Sequence, residues 1–375
     1  MTQQRTYLDY NASAPLRPAA RAAMLAAHDA FGNPSSVHAE GRRVRAIIET
    51  AREQVAALIG AKPSEIVFTS GATEANNCAI EAGWKTICVS AIEHESVLAP
   101  ARACGAKIIA LPATSDGRVD LSAAKGALAE ASAGGRTLLS VMLANNETGV
   151  IQPVAEAAGL ARELNIALHV DAVQGPGRVP LDFAALGADT LTISAHKLGG
   201  PRGVGALVVR DGTSLPALIQ GGGQERRRRG GTENVAGIAG FGAATVEVAR
   251  ELAGAARIAA LRETLEEGVM AATPDAVIIG RGSPRIANTA CIAVAGKPSE
   301  TLVIRMDLDG VAISSGAACS SGKIGANTVL AAMGLGSGIT ASAVRVSLGY
   351  ATTADDIAAF LAAWQKAAGG TALAA

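Results

Sequence analysis

Residues 167–201 read ALHVDAVQGPGRVPLDFAALGADTLTISAHKLGGP, and the fold class can be predicted from their pattern. Two apolar runs within it, 167–170 and 190–194, are separated by a polar segment and end in polar residues. Alternation of this kind is typical of an α/β protein with a mostly parallel sheet. In such sheets ligands bind beyond the carboxyl ends of the strands, so Asp171, Ser194, His196 and Lys197 are candidate site residues.

The same pattern continues on both sides of this stretch. We predict helices over about 18–28 and 37–59, and seven strands at 66–69, 86–89, 107–111, 137–143, 167–170, 190–194 and 205–209. After about residue 250 a long helix, strands at 276–280, 286–294 and 311–314 and a closing helix at 354–366 follow. The prediction is a large domain, 15–252, with a mostly parallel seven-stranded sheet, and a smaller α+β domain of residues 1–14 and 253–375.

Composition restricts the class of protein. The 33 Lys and Arg residues balance 33 Asp and Glu residues, so no net charge would attract nucleic acid or an anionic membrane. With 49% hydrophobic but only 3% aromatic residues, the core must consist mainly of Ala, Val, Leu and Ile. The sequence shows neither a signal-peptide pattern nor an apolar run long enough to span a membrane. We therefore expect a soluble, cytoplasmic protein.

The cysteines suggest thiol chemistry. Five are present, an odd number without any C-x-x-C pair, which argues against a disulfide framework or a zinc site. Cys319 differs from the others because it lies in the Ser/Gly-rich segment SSGAACSSG, residues 314–322. Such a segment has little side-chain bulk to bury the thiol. The remaining cysteines fall in predicted helices or strands and are interpreted as core residues.

Three local features, a turn after the strand at 66–69, an acid and a lysine, are informative only in combination. The strand at 66–69 leads through a Ser/Gly turn into a helix, where free N–H groups at 71–73 could hold a phosphate, or where Thr69 or Ser70 could simply cap the helix. A single acid such as Asp171 is most often a turn residue, and a single lysine most often extends into solvent. Together, however, a lysine, an acid and a phosphate turn are what pyridoxal 5'-phosphate (PLP) requires.

At this point the sequence resembles a known family, the cysteine desulfurases of the class V branch of PLP-dependent enzymes with the type I fold. The resemblance runs nearly from end to end. It is carried by YLDYNASAP (7–15), FGNPS (31–35), TSGATE (69–74), EH (93–94), NNETG (145–149), HVDAVQ (169–174), SAHK (194–197), GGGQE (221–225), SSGAAC (314–319) and VRVSLG (344–349).

The resemblance implies roles for individual residues. Lys197 would bind PLP covalently and later remove the substrate Cα proton, and Asp171 would pair with the pyridine nitrogen. His94, as a catalytic residue, would stack on the ring. The remaining cofactor contacts would come from Ala72, Thr73, Asn146, Gln174, Ser194, His196 and, donated to the partner subunit, Thr232. Arg345, helped by Asn33 and Asn146, would bind the substrate carboxylate.

The resemblance also implies an activity. Cys319 would take sulfur from L-cysteine as a persulfide, release L-alanine and pass the sulfur to an acceptor protein for iron–sulfur cluster assembly. The enzyme would be a homodimer without a metal site. Two alternatives remain open at this stage: a selenocysteine lyase or class V aminotransferase, and a non-catalytic sulfur carrier or scaffold that needs Cys319 but not Lys197.

Overall fold

The computed structural model describes residues 5–251, 254–316 and 327–368 of the chain. Its helices are α1 (Pro18–His28), α2 (Ala39–Leu58), α3 (Ala72–Ile80), α4 (Glu95–Ala103), α5 (Leu121–Ala133), α6 (Val154–Glu163), α7 (Phe183–Leu186), α8 (Val235–Glu251), α9 (Ala255–Ala272), α10 (Ser299–Leu308), α11 (Thr328–Ala332), α12 (Ser337–Thr340) and α13 (Ala354–Ala368). Its strands are β1 (Thr6–Tyr7), β2 (Ile66–Thr69), β3 (Thr86–Ser90), β4 (Lys107–Leu111), β5 (Thr137–Ser140), β6 (Ala167–Asp171), β7 (Thr190–Ser194), β8 (Gly205–Val209), β9 (Val277–Ile279), β10 (Thr289–Ala293), β11 (Val311–Ala312), β12 (Ser314–Ser315) and β13 (Val344–Ser347).

The large sheet has the predicted seven strands, and they are mostly parallel, as predicted. Its order is β2-β8-β7-β6-β5-β3-β4, and only β8 runs in the direction opposite to the other strands. The α/β class and the mostly parallel seven-stranded sheet are thus confirmed. Strand β5 is shorter than the predicted 137–143, because beyond Ser140 it pairs with β6 alone, where His169 O and Asp171 O accept from Val141 N and Leu143 N.

The interior of the large sheet explains its apolar strands. Strands β5 to β8 are almost wholly buried, since helices cover the sheet as they do in parallel-sheet proteins. The main core consists chiefly of Ala, Val, Leu and Ile, with Phe68, Phe183 and Phe241 as its aromatic members. No helix within the described ranges is both long and apolar enough to cross a membrane.

A second core lies around the antiparallel sheet β12-β13-β10-β9. Trp364 stacks on Phe360 there, and Leu8 belongs to the same core because β1 pairs with β11. The predicted strand 286–294 is wrong at its start: Ile286 N donates to Gly149 O, in a loop near the large sheet. The predicted strand 311–314 is divided into β11 and β12. The proposed domain limits stay a prediction, supported by the two cores; residues 252–253 lie outside the described ranges.

Gly205 allows two backbones to approach closely at the start of β8. A Cβ atom there would lie 2.8 Å from Gly71 C and 2.9 Å from Ile193 O, which are backbone atoms that cannot turn away. We therefore expect Gly205→Ala to lower the free energy of unfolding by about 2 kcal/mol through overpacking. Chemical denaturation of both proteins measures the change.

Gly126 provides the matched control for this substitution. It lies inside α5, and a Cβ atom there would meet nothing within 4 Å. Gly126→Ala should therefore leave stability unchanged or raise it by about 0.5–1 kcal/mol. Equal effects of the two substitutions would show that the backbones at Gly205 are not in tight contact.

Candidate functional site

A cavity of about 540 Å³ opens at the edge of the large sheet where β6 and β7 end. The N-terminal segment after β1 and Arg345 of β13 also border it, so both cores contribute to its walls. Ten of the predicted site residues line this cavity: Ala72, Thr73, His94, Asn146, Asp171, Gln174, Ser194, His196, Lys197 and Arg345.

Asp171 is a buried carboxylate in the wall of the cavity. It ends β6 and is buried, and each of its carboxylate oxygens has a donor: Asn76 Nδ2 at 2.8 Å from Oδ2 and Val173 N at 3.0 Å from Oδ1. Burial, together with the charge of Asp171, raises the pKa of Glu93 well above its usual range. Glu93 Oε1 accepts from Met142 N.

Asn76 and His169 hold this carboxylate in place. Asn76 Nδ2 donates to Asp171 and to Ser96 Oγ, so its Oδ1 is free to accept from His169 Nε2 at 3.1 Å. His169 Nδ1 then accepts from the Thr190 hydroxyl at 2.9 Å. Burial lowers the pKa of His169 to about 4, so the ring is neutral at pH 7. A chain of directed hydrogen bonds thus fixes the orientation of Asp171.

Lys197 lies in a single 3₁₀ turn, Ala195–Lys197, directly after β7. Its ammonium group donates to Asn11 O and, at 3.1 Å, to Ala12 O. Gln174 Nε2 donates to the same Asn11 carbonyl at 3.2 Å. The N-terminal segment therefore positions the lysine and the glutamine on one side of the cavity.

The turn between β2 and α3 forms an anion cradle. Helix α3 begins at Ala72, with Gly71 as its N-cap, and lacks a side-chain cap. The alternative that Thr69 or Ser70 caps this helix is wrong, because the Thr69 hydroxyl donates to Gly71 O instead. The first N–H groups of a helix have no acceptor inside it, so those of Ala72 and Thr73 are available to a ligand.

His196 and His94 are neutral donors at the cavity wall. Burial lowers the pKa of His196 to about 4, helped by the positive charge of Lys197. Burial also lowers the pKa of His94, against the attraction of Asp171. His94 caps α4, and its Nδ1 accepts from Ser96 N at 3.0 Å, which leaves the ring proton on Nε2.

Arg345 is buried on β13 and oriented by two carboxylates. Its Nη1 lies 3.0 Å from Glu147 Oε1, and its Nη2 lies 2.9 Å from Asp9 Oδ1. Its Nη1 also donates to Asn146 O at 3.3 Å. Burial raises the pKa of Glu147, although Arg345 opposes this shift. The guanidinium group is therefore held at the cavity in a fixed orientation.

Three predicted residues do not line this cavity. Thr232 is exposed and borders a neighbouring cavity of about 160 Å³, which shares Ser70, Gly203 and Val204 with the main one. Asn33 is exposed, and its Oδ1 accepts from Ser35 N. Cys319 lies outside the described residues. Ser314, at the start of the same SSGAACSSG segment, lines the main cavity.

Sequence reasoning missed several residues that organise the site. Asn11 is the main one: its Nδ2 donates to Asn146 O and Thr289 Oγ1, and its Oδ1 accepts from Asn288. Asn11 therefore links the two cores beside Lys197. Asp9, Asn76, Glu147 and His169 were also missed, although Asp9, Asn11, Glu147 and His169 fall inside the quoted motifs, which was the signal that could have identified them.

The residues present fit PLP. Within the described chain, Ser194 Oγ and Gln174 Oε1 are buried without a hydrogen-bond partner, and both residues line the cavity. Buried polar atoms without partners are costly, so a polar ligand is expected there. The helix N-terminus suits a phosphate, Asp171 a pyridinium nitrogen and Lys197 an aldehyde. This arrangement defines the PLP-dependent enzymes with the type I fold.

Comparison with known proteins agrees with this class. The model of the family "Aminotransferase class-V" matches residues 6–360, and the chain belongs to this PLP-dependent family. The chain is 40% identical over 370 residues to cysteine desulfurase IscS of Dictyoglomus turgidum, covering 95% of this chain and 92% of the relative. It is 41% identical over 366 residues to a cysteine desulfurase of Cereibacter sphaeroides, covering 94% and 93%. The predicted resemblance is confirmed.

A solved structure shows the same fold. The NifS-like protein from Rickettsia africae superposes with a TM-score of 0.90 at 34% identity, covering 97% of this chain and 99% of that protein.

The neutral state of His169 makes stability depend on pH. Its pKa is about 4 in the folded protein and 6.5 as the ordinary value, so the unfolded chain binds the extra proton between these values. The contribution of neutral His169 to the free energy of unfolding is fully present above pH 6.5 and falls as the pH decreases toward 4. Between pH 7.5 and 5, His169 should account for a loss of about 2 kcal/mol in the free energy of unfolding.

His169→Gln should remove this part of the loss, measured by urea denaturation at both pH values. The exposed His28 supplies the control, since His28→Gln should leave the wild-type dependence intact. An unchanged loss in the His169 variant would mean that this histidine is protonated when folded.

Proposed function

We propose that this protein is an L-cysteine desulfurase that transfers sulfur to Cys319 as a persulfide and releases L-alanine. The observation that carries the proposal is the convergence of Lys197, Asp171 and Arg345 on one cavity bordered by Ser314, which begins the SSGAAC segment. The curated relatives, 38–41% identical, are named cysteine desulfurases. A structural relative described as "SspA in complex with cysteine" matches at 30% identity and a TM-score of 0.79.

Each wall of the cavity has a part in holding the cofactor. Ala72, Thr73, Ser194 and His196 would bind its phosphate, and Gln174 and Asn146 its ring substituents. Asp171 would pair with the pyridine nitrogen, since Asn76 Nδ2 and Val173 N fix the orientation of its carboxylate. When bound, PLP supplies a ring that withdraws electrons from the substrate Cα.

Lys197 would accept a proton from the substrate, and His94 would keep its own. The Lys197 amine is directed by the carbonyl oxygens of Asn11 and Ala12, and a lysine amine in a desolvated pocket can serve as a base. Its Nζ would take the proton from the substrate Cα. His94 keeps its proton on Nε2 and is neutral, so it can face a ring without adding charge to it.

Arg345 would bind the substrate carboxylate. A planar guanidinium group matches a carboxylate in two parallel hydrogen bonds, and Asp9 and Glu147 already fix its plane. Asn146 lies beside it, with its backbone oxygen 3.3 Å from Arg345 Nη1. The substrate would therefore enter in one orientation, with its Cα near Lys197.

Cys319 would accept the sulfur. Its thiolate would attack the substrate sulfur, so that an S–S bond forms while the substrate Cβ–S bond breaks. The electron pair of the broken bond stays on carbon and takes up a proton, which gives alanine. The thiol of Cys319 becomes a persulfide, and atoms balance without an external oxidant or reductant.

The assembly and the cellular role are part of the same proposal. A homodimer would place Thr232 at the phosphate of the partner subunit, and Asn33 would act at the substrate site. Phe31 and Val37, which flank Asn33 in the chain, are 77% and 87% exposed, which supports a subunit contact there. The persulfide would be passed to an acceptor for iron–sulfur cluster assembly in the cytoplasm, in line with relatives named IscS and NifS-like.

Two substitutions separate the desulfurase from a sulfur carrier. Cys319→Ser should keep the absorbance of bound PLP but lose alanine formation from cysteine, because the sulfur acceptor is gone. Lys197→Ala should lose both. Mass spectrometry after incubation with L-cysteine should find one added sulfur on the Cys319 peptide of the wild type.

The exposed Cys104 provides the control, since Cys104→Ser should retain alanine formation and the persulfide. A persulfide that persists in Lys197→Ala would favour the carrier. Alanine production that persists in Cys319→Ser would favour an aminotransferase, and turnover of selenocysteine alone would favour a lyase.

Arg345→Lys tests carboxylate binding. Lysine keeps the positive charge but has no fork for two parallel hydrogen bonds, so KM for L-cysteine should rise by about 10–100-fold, as for the loss of one charged hydrogen bond. Steady-state kinetics measures KM and kcat separately. Arg281→Lys, at an exposed position of the same domain, should leave both unchanged. A fall in kcat without a change in KM would contradict the assigned role.

A further inference from the structure

A second cavity, of about 270 Å³, lies between the two cores. Its walls come from the segment after Gln174, the end of α8, the start of α9 and the loop after β13. Among the described residues, Lys197 is the only one that lines both this cavity and the main cavity of about 540 Å³ described above. The second cavity is therefore a separate site, and the proposed reaction assigns it no role.

Positive charge dominates this second cavity. Four arginines, Arg17, Arg178, Arg250 and Arg257, line it, whereas Glu251 is the one acid among the described lining residues. Arg250 is paired with Glu247, which does not line the cavity, at 3.0 Å. Glu251 is already used, because both of its oxygens lie 2.7 Å from the guanidinium group of Arg17. Arg257 donates to the carbonyl oxygens of Thr352 and Tyr350, which do not neutralise its charge.

Arg178 stands out among these arginines. Its Nη1 atom is buried and has no hydrogen-bond partner within the described residues. Burial, with repulsion from Arg345, lowers the pKa of Arg178 to about 9, so the group is still a cation at neutral pH. Residues 1–4, 252–253, 317–326 and 369–375 contain no Asp or Glu, so they offer no acidic side chain to pair with it.

Arg178 is partly exposed as a residue, but its Nη1 lies out of contact with water and without an acceptor, and such a group is costly until an anion binds. We propose that this cavity is a binding site for a small phosphate-bearing anion, held by Arg178 of the large domain and Arg257 of the small domain. Guanidinium groups bind phosphate through two parallel hydrogen bonds, and the surplus of more than one positive charge favours a dianion. Binding would bridge the two domains and stabilise the folded protein.

The test is isothermal titration of the cofactor-loaded enzyme with inorganic phosphate, in chloride buffer of constant ionic strength. Loading with PLP occupies the cradle at α3, so that cradle does not compete for the probe. We expect one phosphate site per chain and a rise in Tm of about 2–5 °C at saturation. A parallel titration with glycerol 3-phosphate distinguishes free phosphate from a small phosphate ester as the better ligand.

Arg178→Met should weaken phosphate binding by at least about tenfold, as expected for the loss of a charged hydrogen bond. Because it removes a buried cation that lacks a counterion, its Tm in chloride should equal or exceed that of the wild type. Arg178→Lys should keep partial affinity. Arg162→Met, which removes an exposed charge on α6, should bind phosphate like the wild type.

Equal phosphate affinity in Arg178→Met and the wild type would overturn the proposal. So would the absence of binding by both anions, or a Tm of Arg178→Met in chloride well below that of the wild type. The last result would mean that Arg178 has a structural partner. These outcomes are independent of alanine formation, so they do not depend on the proposed desulfurase activity.

Discussion

The whole site depends on the parallel pairing of β6 with β7. Because the two strands run in the same direction and are neighbours, their carboxyl ends meet at one edge of the sheet. This places Asp171 and Lys197 in one cavity although 25 positions separate them in the chain. Strand β8, antiparallel to both of its neighbours, starts at the same edge, and Gly205 lets the anion cradle after β2 come close to it.

Buried charge is managed differently in the two cavities. In the main cavity, burial raises the pKa of Glu93 and lowers the pKa values of His94, His169 and His196, and Arg345 is bound to two carboxylates. The Asp171 carboxylate accepts hydrogen bonds from Asn76 and Val173. In the second cavity, the positive charge of Arg178 has no such arrangement within the described chain. That contrast is what indicates a ligand there.

Much of this could be predicted from residues alone. Runs rich in apolar and β-branched residues identified all seven strands of the large sheet, because most of these strands are buried on both faces. The combination of Lys197, Asp171 and the 69–74 turn pointed to PLP because each group matches one part of that molecule. Errors occurred where partners change along a strand, as at Ile286, which bonds to the loop at Gly149 rather than to a neighbouring strand.

Local periodicity and side-chain chemistry were enough to predict the fold class, the cofactor and most of the residues that line the main cavity. The burial and orientation of these groups follow from the packing of segments that are distant in the chain, which no local pattern reveals. Asn11 and Asn76 act through partners that are distant in the chain, and burial is the main cause of the lowered pKa of His169 and the raised pKa of Glu93. The arginines of the second cavity come from segments that are far apart in the chain, so their proximity follows only from the packing of the two cores.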